Sequence, residues 1–290
     1  MVEIPSIDSW LVDVRKHVLE SAPDMLPILD VYAGEAQFGR RYIAADLARL
    51  PERATVLEVG AGSLLLSCQL VREGFEVTAL EPVEGGFSHF ERLRELVLET
   101  AETLGCVPCL LNQRAEELSI IDSFDYAFSI NAMEHVSDVE GVIANIVASL
   151  RTTANYHFTC PNYLFPYEPH FNMPTLFSKT VTEKVFGEKI YNSSVVTDPS
   201  GVWKSLNWIN VPQIKKIVNH LPGLSVNFNR MFLVSTMERV RSDVGFASRR
   251  SMWVRLVIDV LISLRLHYLA GFLPASLQPI IDCTLTRSEH

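Results

Sequence analysis

The 290-residue sequence is poor in cysteine: Cys68, Cys106, Cys109, Cys160 and Cys283 are an odd five, thinly spread. That excludes a disulfide framework as the source of stability. Cys106 and Cys109 form a single CxxC, half of a four-ligand zinc site, and no thioredoxin-like context surrounds it, so buried thiols are expected. Glycine and proline, at 14 and 15 residues, are too few and too aperiodic for a fibrous or low-complexity chain. Positive charge is also short. Lysine and arginine number 25 against 34 acids, a net charge of −9. A chain lacking a basic footprint is not expected to take nucleic acid as partner. The first residues, MVEIPSIDSWLVDVRKH, carry acids early and no apolar signal-peptide core, so the expected compartment is the cytoplasm.

Apolar residues make up 48% of the sequence, ample for a full core in one or two domains. Ile7, Trp10, Leu11, Val14 and Val18 recur at helical spacing, and a second helical run covers 36–50, ending at Pro51. The pattern then changes to strand, turn, helix. Apolar runs at 54–59, 75–80, 107–111, 124–130 and 155–160 read as strands; 64–71, 86–104 and 139–150 read as helices. That alternation implies βαβ units, a parallel sheet and a ligand edge at the strand C-termini. Proline-punctuated residues 161–212 read as an insertion over that edge, and 224–239 as a hairpin of two closing strands. The expected organisation is an N-terminal helical cap (1–50), a central domain (51–240, insertion 161–212) and an apolar helical tail (241–290).

The stretch VLEVGAGSLLLS (56–67) carries most chemical information. A strand delivers the chain into Gly60-Ala61-Gly62, where the lack of side chains lets the backbone approach a ligand. Glu81 ends the second strand 21 residues later, placed to accept hydrogen bonds from a ribose diol. Glu58, two residues before Gly60, adds a carboxylate that suits a cationic ligand better than an anionic one. Leu65 stands at the third position of a GxGxxG fingerprint, which argues against a dinucleotide site.

With these residues, 40–162 resembles the class I S-adenosylmethionine-dependent methyltransferases. Glu58-Val59-Gly60-Ala61-Gly62 is similar to that family's glycine-rich first motif, with Leu64 where many members have a third glycine. The resemblance implies a Rossmann-like, seven-stranded, mainly parallel sheet with flanking helices, and S-adenosylmethionine as cofactor. It implies that Glu81, followed by Pro82, holds the ribose, and that Ala115 and Glu116 flank the adenine. Ile130 and Asn131, ending the fourth strand, would line the methionine moiety. Asn131-Ala132-Met133-Glu134-His135 is similar to the Glu-x-x-Glu-His of the ubiquinone-biosynthesis O-methyltransferases. Asn131 replaces the first carboxylate, so no metal is expected. Arg40 lies near the place where that subgroup has an arginine for the cofactor carboxylate.

If the acceptor is a hydroxyl, a base must take its proton. His135 is the candidate, because an unperturbed imidazole titrates near neutrality and suits that task, with Glu134 orienting it or the substrate. Residues 161–174, with Tyr163, Phe165, Tyr167, Glu168, His170 and Phe171, are expected to wall an amphipathic acceptor site. His157 reads as a satisfied strand residue. The tail 252–273 is apolar apart from Arg265 and a stripe at Arg255, Asp259, Ser263 and His267. Over 239–287, Arg239, Arg241, Arg249, Arg250, Arg255, Arg265 and Arg287 face only Asp243, Asp259 and Asp282, a net of +4. Peripheral membrane contact or a grip on a lipid-linked substrate is one reading of this tail; a buried helix or a dimer interface is the other. The expected activity is methyl transfer to a small or lipid-linked acceptor, with oxygen the atom that the motif's resemblance implies. An NAD-dependent oxidoreductase and a non-catalytic cofactor-binding protein remain the rivals at this point.

Overall fold

The computed structural model describes residues 5–82, 88–176, 178–194, 196, 198–242, 247 and 252–288. Asp243, Arg249, Arg250 and the expected helix start at 86–87 lie outside them. The strands are β1 (Thr55–Val59), β2 (Glu76–Leu80), β3 (Cys109–Leu111), β4 (Phe124–Ile130), β5 (Leu150–Pro161), β6 (Tyr167–Glu168), β7 (Met173–Pro174), β8 (Leu224–Phe228) and β9 (Ile280–Arg287). Seven form one sheet in the order β3-β2-β1-β4-β5-β9-β8, while β6 and β7 pair as a separate antiparallel ribbon. β1 runs parallel to both β2 and β4, and β2 parallel to β3. The expected seven-stranded, mainly parallel α/β sheet with flanking helices is therefore the fold.

The chain forms two compact units, one of 1–157 with 223–225 and 285–290, the other of 158–222 with 226–284. In the first, β1 is buried on both faces, as a central parallel strand is; Val56 and Leu57 are fully buried. Helix α1 (Ile7–Ser21) begins where the Ser6 hydroxyl accepts the Ser9 N–H, satisfying an otherwise orphaned donor. Its Trp10 indole N–H donates to the Leu65 carbonyl at 2.9 Å. The expected second helix is broken in two: α2 (Leu26–Tyr42) and the short α3 (Ala44–Leu47). α2 comes close to the sheet at Gly39, where a Cβ would lie 2.8 Å from the Ile130 side chain and 2.9 Å from that of Leu66. The helix after β1, α4 (Leu65–Arg72), and the long α5 (Ser88–Leu104) follow as expected. α6 (Val139–Ser149) starts on an Asp138 cap that accepts the Gly141 N–H at 3.0 Å.

The second unit has an aromatic core of its own. The rings of Tyr163 and Trp208 stack with centroids 4.3 Å apart. Trp203 meets Trp208 edge-on at 5.6 Å and Phe171 at 5.7 Å. The buried Glu168 carboxylate accepts from the Phe171 N–H (2.6 Å), the Tyr163 hydroxyl (3.2 Å) and the His170 ring (2.6 Å). The aromatics of 161–174 that were expected to wall an acceptor thus include Tyr163 and Phe171, both packed into this core. Helices α7 (Lys179–Tyr191), α8 (Pro199–Ser205) and α9 (Val211–His220) follow.

Two readings of the C-terminal part need correction. The stretch 224–239 is not a hairpin: β8 is followed by a helix, α10 (Phe232–Ser242). The second closing strand is β9, drawn from the tail that was expected to be helical throughout; there, only α11 (Met252–Ser263) and 3₁₀ turns at Leu266–Phe272 and Ala275–Leu277 are helical. Cys109 is likewise exposed, against the expectation of buried thiols, because it sits on the short β3; the other four are buried.

Candidate active site

Register fixes the centre of the site. Val59 pairs with Leu80, so β1 and β2 end level and release Gly60 and Glu81 side by side. The N–H groups of Gly60 and Ala61 both donate to the Leu80 carbonyl, at 2.9 and 3.3 Å, pinning the loop to the end of β2. Gly60 has φ +78°, and a Cβ there would fall 2.4 Å from the Ala132 methyl. The glycine is therefore required both by conformation and by the approach of the chain leaving β4. Gly62, also left-handed, donates its N–H to Glu81 Oε2 at 2.9 Å. That bond, with the Arg94 charge, works against the burial that raises the Glu81 carboxyl above its ordinary range.

Glu58 departs from the sequence expectation of a carboxylate open to a ligand. It points beneath α4, where it is buried and accepts the Ser67 hydroxyl. Burial first, then the Glu81 charge, pushes its pKa up to about 8, with the Ser67 bond opposing. The group is therefore mainly protonated at neutral pH. A cation close by would favour its ionised form.

At the end of β4, Ile130 is half-buried against α2 and Asn131 is exposed with φ +53°. Asn is among the few side chains that occupy that region readily. Met133–His135 forms a 3₁₀ turn in which Glu134 is fully buried and His135 half-buried. Pro82 is half-buried beside Glu81. Ala115 is buried, and its carbonyl and that of Glu116 accept the Asn145 amide at 3.3 and 2.8 Å. The Glu116 carboxylate is committed to the start of α6, accepting both the N–H and the hydroxyl of Ser137 at 2.7 Å. Burial works to raise its pKa, but the Ser137 hydroxyl and the N–H groups there hold it below the ordinary range.

Gly60, Gly62, Glu81 and the start of the Asn131–His135 segment are thus brought together. Arg40 is not joined to them. Its Nε donates to both oxygens of Glu73, at 2.8 and 2.9 Å, beyond the far end of α4 from the glycine loop.

Three features escaped the sequence reading. Ser67 partners Glu58, its only signal being a hydroxyl in an apolar first turn. Leu64 caps α4 with φ +66°, a backbone state that suits glycine. The Tyr42 hydroxyl meets His157 Nε2 at 2.6 Å, and His157 Nδ1 meets Asp46 at 2.6 Å. The Tyr126 hydroxyl also donates to Asp46, at 3.1 Å. His157 is therefore satisfied, as expected, although its partners lie in α2 and α3.

Residues 57–156 match the family model described as a methyltransferase domain. An uncharacterized protein of Mycobacterium tuberculosis is 45% identical over 282 residues, 97% of this chain and 95% of that one. The ubiquinone biosynthesis O-methyltransferase of Paramagnetospirillum magneticum is 32% identical over 120 residues, 39% of this chain and 45% of that one. Among solved structures, a putative sarcosine dimethylglycine methyltransferase from Galdieria sulphuraria shares the fold, with a TM-score of 0.51 at 15% identity over 87% of this chain and 86% of that one. Residues 57–156 thus form a methyltransferase domain, on a fold of the class I S-adenosylmethionine-dependent type. The protein is an enzyme with S-adenosylmethionine as cofactor, and the oxidoreductase and non-catalytic alternatives are set aside.

Proposed function

We propose that the enzyme methylates a hydroxyl of a small or lipid-linked acceptor, with His135 taking the proton. The residues present fit the cofactor: two left-handed glycines give open backbone, and Glu81 is already oriented beside them. Glu81 would hold the ribose diol, Gly60 and Gly62 would admit the backbone contact, and Ile130 and Asn131 would flank the methionine end. Bound there, S-adenosylmethionine supplies a methyl group activated by its sulfonium, so the protein's task is to position the acceptor, exclude water and accept a proton. Glu58 would complement the cofactor's positive charge on ionising.

One observation carries the assignment to His135. The Gly60 backbone is pressed against Ala132, so the turn holding His135 begins where the cofactor loop ends. The short likeness to ubiquinone biosynthesis O-methyltransferases, which spans 39% of the chain, supports oxygen as acceptor atom.

The test uses labelled S-adenosylmethionine with a panel of phenols, polyprenylated phenols and sugar alcohols. Methylation of a hydroxyl is expected. His135→Asn should lower turnover on the order of a hundredfold or more while cofactor affinity, read by calorimetry, stays within about twofold. Methylation at nitrogen only, or unchanged turnover in the variant, overturns the reading.

A further inference from the structure

The helix α11 (Met252–Ser263) has no buried residue. Ile258, Leu261 and Ile262 are half-buried and form its inner side. The opposite side carries Trp253, Leu256, Val257 and Val260, spaced i, i+3, i+4, i+7, so they fall on one stripe. All four are exposed, Trp253 to 72%. The chain continues into the 3₁₀ segment Leu266–Phe272, where Leu269 and Phe272 are 60% and 79% exposed. Of the 25 large apolar side chains exposed among the described residues, twelve lie within 252–273. Such a concentration marks an interaction surface rather than the usual scatter.

Charge identifies what covers it. Residues 230–273 contain seven arginines, no lysine and three acids, in a chain of net −9. Arg230, Arg241, Arg255 and Arg265 are exposed, and of the two described acids Glu238 meets His267 at 3.3 Å. A second copy of this chain would bring the same excess of arginine to the interface. An anionic lipid surface complements them, while Trp253 and Tyr268 have the amphipathic rings favoured at headgroup depth. No helix among the described residues is long and apolar enough to cross a membrane, so the element lies on the bilayer rather than through it.

We propose that 252–273 is a membrane-docking element that seats the enzyme on anionic phospholipid, the arginines reaching headgroups and the Trp253–Val260 stripe entering the acyl boundary. This stands independently of the acceptor's identity.

The test is co-sedimentation of the full-length protein with vesicles of phosphatidylcholine, alone or mixed with phosphatidylglycerol. The protein should pellet with the mixed vesicles and be released by salt. Val257→Glu with Val260→Glu, both at exposed positions, should weaken pelleting on the order of tenfold or more, since acids at the acyl boundary are costly. Arg255→Glu with Arg265→Glu should lose the preference for anionic lipid. Stabilisation of each variant by S-adenosylhomocysteine reports that the fold is intact. Absence of wild-type pelleting, or pelleting unchanged in the Val257/Val260 variant, overturns the proposal. So does a wild-type dimer in sedimentation velocity that this variant converts to monomer without any vesicle affinity in either protein.

Discussion

At the scale of single residues, two buried or strained positions decide how the glycine loop behaves. Glu58 holds its proton well above the pH at which an unfolded glutamate loses it. Between about pH 4.5 and pH 8 the folded state therefore binds more protons than the unfolded one, and stability falls as pH rises through that window. Glu58→Gln keeps the shape and hydrogen bonding but cannot ionise. Its melting temperature should stay flatter than wild type across that window, measured by differential scanning calorimetry; parallel curves would disprove it. Gly60 is the second position. A methyl group at φ +78° would strike Ala132 at 2.4 Å, so Gly60→Ala should reduce affinity for S-adenosylhomocysteine on the order of a hundredfold, about 3 kcal/mol, as read by isothermal titration. The placement of the glycines beside Glu81 was legible in the sequence because it is local: a turn needing open backbone, an acid ending a strand. Arg40 was not, because its partner Glu73 is set by how α2 crosses α4, and no linear spacing records that crossing. The exchange of acid for amide at Asn131 coincides with a left-handed backbone that favours Asn.

At the scale of elements, strands flanked by turns were readable and the closing of the sheet was not. β1, β2 and β4 are short apolar runs bounded by glycine, proline or acid, and they stand within about a residue of where periodicity places them. Residues 232–242 misled because Phe232, Val234 and Thr236 alternate like a strand. The helix shows instead in Val234, Met237 and Val240, buried at intervals of three. β9 was hidden at the end of an apolar tail. It is secured at its far end: Arg287 bonds Asp122 and the Leu150 carbonyl, and the Thr286 hydroxyl donates to Asn155 at 2.7 Å. Deleting 280–290 removes the strand that joins β5 to β8, so the truncated chain should lose its cooperative thermal transition in circular dichroism. A sharp melt near the wild-type temperature would show that β9 is dispensable.

At the scale of the whole molecule, the polarity of the chain is unevenly distributed. An acidic protein gathers arginine and exposed apolar surface in one C-terminal stretch, and gathers its glycine-loop chemistry in the first half. The class of reaction was legible because it rests on 40–162, where the chain follows a strand–loop–helix grammar with few solutions. The acceptor was not, because no linear motif marks it, and Tyr163 and Phe171, two of the aromatics expected to wall it, pack into the core of the second unit.

The position of β9 between β5 and β8 also bears on biogenesis. An interior strand of the sheet is synthesised after both of its neighbours. Until β9 has emerged, β5 has an open edge and β8 has no neighbour, however early the glycine loop has formed. Until then the nascent chain presents an unpaired strand edge, the kind of surface that chaperones shield.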